Sequence, residues 1–289
     1  MRRFPLLGIL LLLAACSSGG DPEPDDGPTS STPAILLETD TPSPDPAEPL
    51  AGDHRLGATL PDGAEVEYLL HAPPAVERGR PLPLVLVFHG SPGSPEDMAR
   101  LTRFDALADD EGFLVVYPSS VGDPEEVGAL LDRLTDVWPV DTRRVYAAGF
   151  SRGASTTYVL AEDLSRRIAA FAPVSGIQYG DFAPRSPVSL ITFQGGRDEF
   201  ASAFPAVNRQ WARGARCDQP STTEVTVAGG PARRSVAQCA AGTEHVVYHV
   251  ERMGHVWPRE ATRIIWEFFA AHPHSRALPP VSRSGRPAR

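Results

Sequence analysis

Residues 145–160 read VYAAGFSRGASTTYVL. The first part is an apolar run typical of a buried strand, and the last part is typical of a helix. Between them lies GFSRG, residues 149–153, a Gly-x-Ser-x-Gly pattern that is weak evidence by itself. On a tight turn from strand to helix, the serine is pushed out at the carboxyl end of the sheet and the glycines relieve crowding. This context predicts an exposed nucleophile at Ser151; the alternative is a glycine-rich turn with an ordinary serine.

Strand-like and helix-like segments alternate on both sides of this turn. Apolar runs bounded by turn residues indicate strands buried on both faces, and apolar residues at helical spacing indicate helices. The alternation predicts an α/β domain with a mostly parallel central sheet and helices on both faces. An opening hairpin is predicted from residues 54–60 and 66–71, around Pro61-Asp62-Gly63. The further predicted strands are residues 84–88, 113–117, 145–150, 168–174 and 188–194, with a strand-rich stretch up to 250, and the predicted helices are residues 96–110, 125–134, 154–164, 203–215 and 260–271.

A serine hydroxyl becomes a good nucleophile only when a base takes its proton and a carboxylate orients that base. In folds with this kind of turn the chain order is serine, acid, histidine. The predicted acid is Asp198, because it follows the strand at residues 188–193 and so lies on the same rim as Ser151. Glu199 and Asp181 are the alternatives, in less suitable places.

The predicted base is His255. It follows the strand at residues 246–250 and precedes the last helix, which places it in a loop on that rim. The other histidines of this half of the chain are interpreted as non-catalytic. His245 and His249 lie on one face of a half-buried strand, and polar edges of that strand are favoured over a metal site. His272 and His274 are predicted to lie on the surface at a helix end.

A tetrahedral intermediate needs two backbone N–H donors aimed at its oxygen. One is predicted at Arg152, directly after the nucleophile. The second is predicted in the loop at residues 89–93, after the first central strand. Pro92 has no N–H, so Ser91 is the candidate. His89 is interpreted as a support of that loop rather than as a catalytic residue.

The composition excludes several classes of protein. The 289 residues are 42% apolar, which is enough for a packed core. A formal charge of −9 argues against a nucleic-acid binder. Three scattered cysteines fit neither a disulfide scaffold nor a structural zinc site. No apolar stretch reaches the roughly 20 residues of a membrane span. We expect neither a metal nor a cofactor.

The two ends of the chain differ in composition from its middle. Residues 1–15 begin with a basic pair and continue as a short apolar run, as in a secretory signal peptide. Residues 16–52 are rich in Pro, Ser, Thr, Asp and Glu, which predicts a disordered tether. Residues 53–274 are predicted to form one catalytic domain, and residues 275–289 a disordered basic tail.

The sequence LAACS, residues 13–17, resembles the lipobox of bacterial lipoproteins. The resemblance implies that Cys16 is acylated and becomes the first residue of the mature chain. Acyl chains would then anchor an exported protein to the outer face of the bacterial cell membrane. The alternative is an ordinary signal peptide with an incidental cysteine, which gives a secreted protein.

Five blocks of sequence carry a family resemblance: VFHGSPGSPEDM (87–98), EGFLVVYP (111–118), VDTRRVY (140–146), GFSRG (149–153) and GHVWP (254–258). With them the chain resembles the polyhydroxybutyrate-depolymerase-like esterases, relatives of the feruloyl and acetyl-xylan esterases. The resemblance implies the α/β-hydrolase fold and a serine esterase working through an acyl-enzyme. It implies a small-molecule, polyester or plant-polysaccharide ester as the substrate. It places nucleophile, acid and base on Ser151, Asp198 and His255, and it suggests Trp257 as a wall of the acyl or alcohol pocket.

Cys217 and Cys239 also match positions of this family. Once Cys16 is lipidated they are the remaining pair, and export implies an oxidising compartment, so a disulfide is expected. Such a bridge would contribute roughly 3 kcal/mol to stability in the chain-entropy model.

The chain departs from the family in three places. The loop at residues 117–123 is short, so one side of the substrate groove is expected to be missing. Arg152 stands where Asn or Gln is common, and its guanidinium would favour an anionic substrate. The acid loop begins with Gln194 in place of histidine. None of these departures removes a predicted catalytic group.

Two other classes of function fit the same residues. A non-catalytic binding lipoprotein could retain the fold with a disabled site, and a fluorophosphonate probe would then leave Ser151 unlabelled. A serine peptidase or an acyltransferase could use the same triad. Paired ester and amide substrates identify a peptidase, and an added acceptor alcohol exposes acyl transfer.

Overall fold

The computed structural model describes residues 48–60, 63, 65–120, 122–180 and 184–274. Several predictions fall outside these residues: the signal peptide, the lipidated Cys16, most of the tether, the basic tail and the rival acid Asp181. None of the described helices is long and apolar enough to cross a lipid bilayer.

One sheet of ten strands runs through the described residues. The strands are β1 (Gly52–Thr59), β2 (Glu65–Ala72), β3 (Leu82–Phe88), β4 (Leu114–Pro118), β5 (Val140–Phe150), β6 (Ala170–Val174), β7 (Ser189–Gly195), β8 (Ser221–Val227), β9 (Gly230–Gln238) and β10 (Glu244–Val250). Their order across the sheet is β1-β2-β4-β3-β5-β6-β7-β10-β9-β8. The strands from β4 to β10 in this order are parallel, and antiparallel strands extend both ends. The prediction of a mostly parallel central sheet is confirmed.

The described residues contain six α-helices. They are α1 (Pro95–Thr102), α2 (Phe104–Glu111), α3 (Pro124–Val137), α4 (Arg152–Asp163), α5 (Phe204–Gly214) and α6 (Ala261–Ala271). The prediction of one continuous helix over residues 96–110 is wrong. Arg103 has a left-handed backbone, with φ 56°, and its N–H donates to the carbonyl of Ala99, which ends α1 one residue before α2 begins.

The helices cover both faces of the sheet, as the alternation predicted. Along β3, Leu84, Leu86 and Phe88 pack in one apolar cluster, and Val85 and Val87 pack in the other. Helices α3, α4 and α5 contribute to the first cluster, and α1, α2 and α6 to the second. These strand side chains are fully buried, so a truncation such as Leu86→Ala would cost roughly 2–5 kcal/mol.

The carboxyl ends of four parallel strands hold the predicted site. Strand β3 leads into the loop at residues 89–93, and β5 ends directly before Ser151. Strand β7 leads into Asp198, and β10 leads into His255. Because parallel strands end at the same edge of a sheet, these four loops lie together.

Candidate active site

Ser151 lies on a sharp turn between β5 and α4. Its backbone has φ 56° and ψ −115°, and its N–H donates to the carbonyl of Val174 at 3.0 Å. A Cβ atom on Gly149 would lie 2.1 Å from the carbonyl oxygen of Gly153. A Cβ atom on Gly153 would lie 2.2 Å from the carbonyl oxygen of Phe88. Both separations are far below van der Waals contact, so the turn requires glycine on each side of the serine.

Asp198 supplies a buried carboxylate. Its side chain is fully buried in the loop after β7, and its Oδ1 accepts the N–H of Phe200 at 2.9 Å. Nδ1 of His255 lies 3.2 Å from Oδ1 and 3.1 Å from Oδ2. A buried carboxylate needs hydrogen-bonding partners, and the imidazole and the amide supply them.

The acid loop and the histidine loop are also joined through their backbones. The N–H of Gly196 donates to the carbonyl of Val250 at 2.9 Å. The N–H of Arg197 donates to the carbonyl of Met253, also at 2.9 Å. These bonds hold the two loops together beside the contact between the side chains.

Glu199 is a second carboxylate near His255. Its Oε1 lies 3.7 Å from Nδ1, beyond hydrogen-bond distance, and its side chain is 67% exposed. Asp198 is both closer and buried, so the geometry favours Asp198 as the acid that orients the imidazole. The rings of Phe150 and Phe200 flank that imidazole, with centroids 4.9 and 5.6 Å away.

Ser151 and His255 line one pocket of about 250 Å³. The loop at residues 89–93 closes one side, and Met98 and Leu101 of α1 close another. Pockets for drug-sized ligands measure about 300–1,000 Å³, so this pocket suits a small group. Because Nδ1 of His255 faces the carboxylate, Nε2 is the ring nitrogen left for a serine hydroxyl.

Two loops hold the predicted backbone donors. Arg152 is the first residue of α4, where N–H groups lack a helical acceptor and the helix dipole favours negative charge. Ser91 lies in the loop that lines the pocket. The carbonyl of Gly90, the residue before Ser91, lies 2.7 Å from Nδ1 of His89. Nε2 of His89 lies 3.0 Å from the carbonyl of Ser119, at the end of β4.

His89 therefore holds the orientation of the peptide between Gly90 and Ser91. The C=O and N–H of a trans peptide point in opposite directions, so anchoring the carbonyl fixes the direction of the N–H. Both ring nitrogens face carbonyl oxygens, which only accept hydrogen bonds. The contacts agree with the interpretation of His89 as a support of this loop.

No protein-family model matches the chain. The bifunctional acetylxylan esterase/xylanase XynS20E of Neocallimastix patriciarum is 34% identical over 129 residues, which cover 40% of this chain and 19% of that protein. NocK of Nocardia uniformis subsp. tsuyamanensis, whose esterase name is provisional, is 27% identical over 306 residues. That match covers 87% of this chain and 88% of NocK. The chain thus spans about a fifth of the first relative and most of the second.

Solved structures share the arrangement of the sheet and helices. The acetyl xylan esterase from Aspergillus awamori matches with a TM-score of 0.62 at 16% identity, covering 76% of this chain and 99% of that one. The domain has the α/β-hydrolase fold. A structural likeness at this identity concerns the fold, and the esterase names come from the sequence relatives.

Trp257 of the α/β-hydrolase domain is buried beside the pocket of Ser151 rather than inside it. Its Nε1 donates to Oγ1 of Thr262 at 3.0 Å, and its ring meets that of Phe104 edge-on. It lines a neighbouring groove of about 530 Å³ that shares Leu101 with the pocket. A role of Trp257 in substrate binding stays a prediction, and it concerns a substrate group lying in this groove.

Cys217 and Cys239 are paired in the structure. The pairing links the segment after α5 to the residue that follows β9. Both cysteines pack against the first apolar cluster. Oxidation of this pair in the exported protein stays a prediction.

The three places where the sequence departs from the pattern of the resembled esterases can be located in the α/β-hydrolase domain. Residues 119–123 alone join β4 to α3, which is the short loop that the sequence predicted. The Arg152 side chain is exposed at the start of α4. Gln194 is buried, and its amide exchanges two hydrogen bonds of 2.8 Å with the amide of Asn208 on α5. In place of histidine, this glutamine therefore fastens α5 to β7.

His245 and His249 lie on one face of β10, as their spacing predicted. His245 is buried, and burial lowers its pKa to about 4. His249 is half-buried, and burial followed by the charge of Arg233 lowers its pKa. Neither histidine belongs to the group of described residues that could hold a metal ion.

The prediction that His272 and His274 lie on the surface is wrong, because both are half-buried. The imidazole of His272, at the end of α6, packs 4.2 Å from the ring of Phe268. The backbone N–H of His274 donates to the carbonyl of Arg143, which draws the residue against the domain, and burial lowers its pKa.

One group of described side chains could ligate a metal: Asp53, His71 and Asp105, whose ligand atoms lie within 4.8 Å of one another. His71 contacts Asp53 through Nδ1 at 2.6 Å and Asp109 through Nε2 at 3.0 Å. Asp105 accepts the hydroxyl hydrogen of Tyr117 at 2.7 Å. These hydrogen bonds already engage the ligand atoms, so the group is explained without a metal. The expectation of no metal stays a prediction.

Two sets of residues were not predicted from the sequence: the walls of the pocket and the partners of its loops. Phe150 lies inside the Gly-x-Ser-x-Gly motif, so a ring beside the base could have been inferred there. Phe200, Met98, Leu101 and Ser119 reach the site through contacts between segments far apart in the sequence. No local pattern marks such contacts.

Proposed function

We propose that the chain is a serine esterase that hydrolyses carboxylic esters with a short acyl group through an acyl-enzyme. One observation carries the proposal. The buried carboxylate of Asp198 lies 3.1 Å from Nδ1 of His255, and His255 shares a pocket with the serine on the strand-to-helix turn. The esterase names of the sequence relatives support the reaction class. The pocket volume of about 250 Å³ supports a short acyl group such as acetyl.

In the first half of the reaction, Oγ of Ser151 attacks the carbonyl carbon of the ester, and its proton passes to Nε2 of His255. Asp198 keeps the imidazole in the required tautomer and stabilises the imidazolium that forms. The N–H groups of Arg152 and Ser91 donate to the oxyanion. When the intermediate collapses, the C–O bond to the alcohol breaks and the alcohol leaves with the proton from His255.

In the second half, water attacks the acyl carbon of the serine ester. His255 takes one proton of that water and returns it to Oγ of Ser151 as the acid is released. One ester and one water thus become one acid and one alcohol, and the enzyme is restored. Every proton is carried by groups of the chain or by water, so the reaction requires no cofactor.

The decisive variant is Ser151→Ala, assayed with p-nitrophenyl acetate. Removing the nucleophile should lower kcat by roughly 10⁴-fold or more, with an unchanged thermal midpoint. A fluorophosphonate probe should label the wild-type protein and not the variant. Ser221→Ala, at an exposed serine on β8, is the matched control and should keep both activity and labelling. Full turnover by Ser151→Ala would refute the proposal.

The short-acyl part is tested with a series of p-nitrophenyl esters of increasing acyl length. The expected kcat/KM is highest for acetate and falls at least tenfold for octanoate, because Met98 and Leu101 limit the pocket. Leu101→Ala should recover part of the loss on octanoate and leave acetate nearly unchanged. A parallel panel of feruloyl, acetyl-sugar and hydroxybutyrate esters then identifies the natural class. Equal rates on all lengths would contradict the short-acyl assignment.

We also propose that the enzyme is exported and held on the outer face of the bacterial cell membrane through acylated Cys16. The support is the basic and apolar start of the chain and the LAACS sequence at residues 13–17. Cys16→Ser should move the esterase from the membrane fraction to the soluble or secreted fraction and abolish incorporation of labelled palmitate. Ser30→Ala, in the predicted tether outside the lipobox, is the control and should keep both the membrane location and the label. Release of the unmodified wild-type protein would instead indicate secretion.

A further inference from the structure

A second pocket, of about 570 Å³, lies between α5, the segment that follows it, and the strands β9 and β10. None of its lining residues lines the pocket of Ser151. Ala212, Ala237 and Val247 give it an apolar wall. We call it the α5 pocket.

Three arginines make the rim of the α5 pocket basic: Arg209, Arg213 and Arg216. All three are exposed. Within the described part of the chain, none of their guanidinium groups forms an ion pair with a carboxylate. Asp218 supplies one carboxylate to the lining, so the arginines leave a local excess of positive charge on a chain whose formal charge is −9.

The arginines also repel one another. Arg209 and Arg213 are four residues apart on α5, which places them on the same face of the helix, and like charges at this spacing destabilise a helix. An anion between them would remove that repulsion and accept charge-assisted hydrogen bonds.

His245 forms part of the inner wall of the α5 pocket. Only 5% of the residue is exposed, and its Nε2 is buried rather than open to the pocket. Burial lowers the pKa of His245 to about 4, so near neutral pH the ring is uncharged and adds no charge to the pocket.

We propose that the α5 pocket binds a small organic anion with a flat apolar body, such as an aromatic carboxylate. Its carboxylate lies between Arg209 and Arg213, and its body packs against Ala212, Ala237 and Val247. His245 closes the inner end of the site. The basic rim selects the charge and the alanine and valine wall selects the apolar body, so a neutral analogue and a purely inorganic anion each lose one of the two interactions. The proposal is independent of the esterase reaction.

The test is calorimetric titration of the full chain with sodium benzoate. Saturable binding with a Kd of roughly 1 mM or tighter is expected. Benzamide, which has the same shape without the charge, and inorganic phosphate, which has charge without the ring, should each bind at least tenfold more weakly. The double variant Arg209→Gln with Arg213→Gln should weaken benzoate binding by roughly tenfold or more. Since both side chains are exposed, its thermal midpoint should stay close to that of the wild type.

Arg103→Gln is the matched control, because Arg103 is an exposed arginine on the groove next to the Ser151 pocket. It should leave benzoate affinity unchanged, and so should Ser151→Ala. Equal affinity for benzamide, an unaffected double variant, or weaker binding only in Arg103→Gln would each overturn the proposal. In the last case benzoate occupies the groove beside the esterase site, and the function proposed for Ser151 is unaffected.

Discussion

His71 and His255 both contact carboxylates, and of these two only His255 lies in a candidate active site. The contact of His71 with Asp53 is 2.6 Å, shorter than the 3.1 Å between His255 and Asp198. Yet the side chain of Asp53 is 86% exposed, whereas that of Asp198 is fully buried. A short distance therefore does not distinguish a catalytic pair.

The difference lies in the second ring nitrogen. Both nitrogens of His71 contact carboxylates, so the ring has no acceptor left for a substrate proton. His255 uses Nδ1 for Asp198, and its Nε2 has no hydrogen-bond partner among the described residues. Together with a serine in the same pocket, that nitrogen supports the proposed role of His255 as a base, whereas His71 has no ring nitrogen left for such a role.

The largest expected effect separates the two aspartates. Asp198→Asn should lower kcat by roughly 10⁴-fold, because an amide no longer holds the imidazole in the required tautomer. Asp53→Asn should leave kcat within about twofold of the wild type, since its partner performs no chemistry. Both are measured with p-nitrophenyl acetate. Similar losses in the two variants would erase the distinction between the pairs.

The next effect concerns a histidine that acts through the backbone. His89→Gln should lower kcat by roughly tenfold to a hundredfold with little change in KM, because Ser91 loses its fixed orientation toward the oxyanion. His71→Gln serves as the control and should keep kcat. Steady-state kinetics on both variants provide the measurement. If His89→Gln lowers the thermal midpoint but leaves kcat unchanged, His89 has a purely structural role.

A smaller effect is expected on stability, and its sign depends on pH. Burial lowers the pKa of His71, but the hydrogen bonds that its ring donates to Asp53 and Asp109 outweigh this effect, so the pKa is raised above its usual 6.5. A histidine whose pKa is raised by folding stabilises the folded state fully below its unfolded pKa, and this contribution disappears as the pH rises through the folded value. His71→Gln should therefore lower the free energy of unfolding by less than about 1 kcal/mol at about pH 5.5.

At about pH 8.5 the same variant should unfold with nearly the free energy of the wild type. Urea denaturation at both pH values gives the comparison. A loss that grows toward alkaline pH would show that the ion pair with Asp53 and Asp109 is not the source of the effect.

The smallest effect is expected at the neighbouring carboxylate. Glu199→Gln should change kcat by less than about threefold, because its side chain is exposed and beyond hydrogen-bond distance from His255. Initial rates on the acetate ester are sufficient. A loss approaching that of Asp198→Asn would transfer the orienting role to Glu199.

Much of the fold follows from local patterns. Apolar runs and glycines mark β3, β5 and β7, and the turn at Ser151 requires its glycines for contacts that the motif anticipates. Parallel strands then bring their carboxyl ends together, so the sequence alone predicts Asp198 and His255 on one rim.

Other features depend on tertiary contacts that the sequence leaves unmarked. The break between α1 and α2 occurs at Arg103, a residue type that rarely adopts a left-handed backbone, where glycine or asparagine would have signalled it. Trp257 matches the family pattern in sequence, yet its ring packs against Phe104 and lines the neighbouring groove rather than the Ser151 pocket. The half-buried state of His272 likewise depends on packing against Phe268.

The backbone bonds from Gly196 and Arg197 to the histidine loop join the proposed acid and base into one structural unit, carried by β7 and β10. The serine belongs to a second unit, carried by β5 and α4. A protein engineer who transfers this site to another scaffold must therefore move both loops of the first unit together. The distance between the two units can then be varied while the contact between Asp198 and His255 is kept.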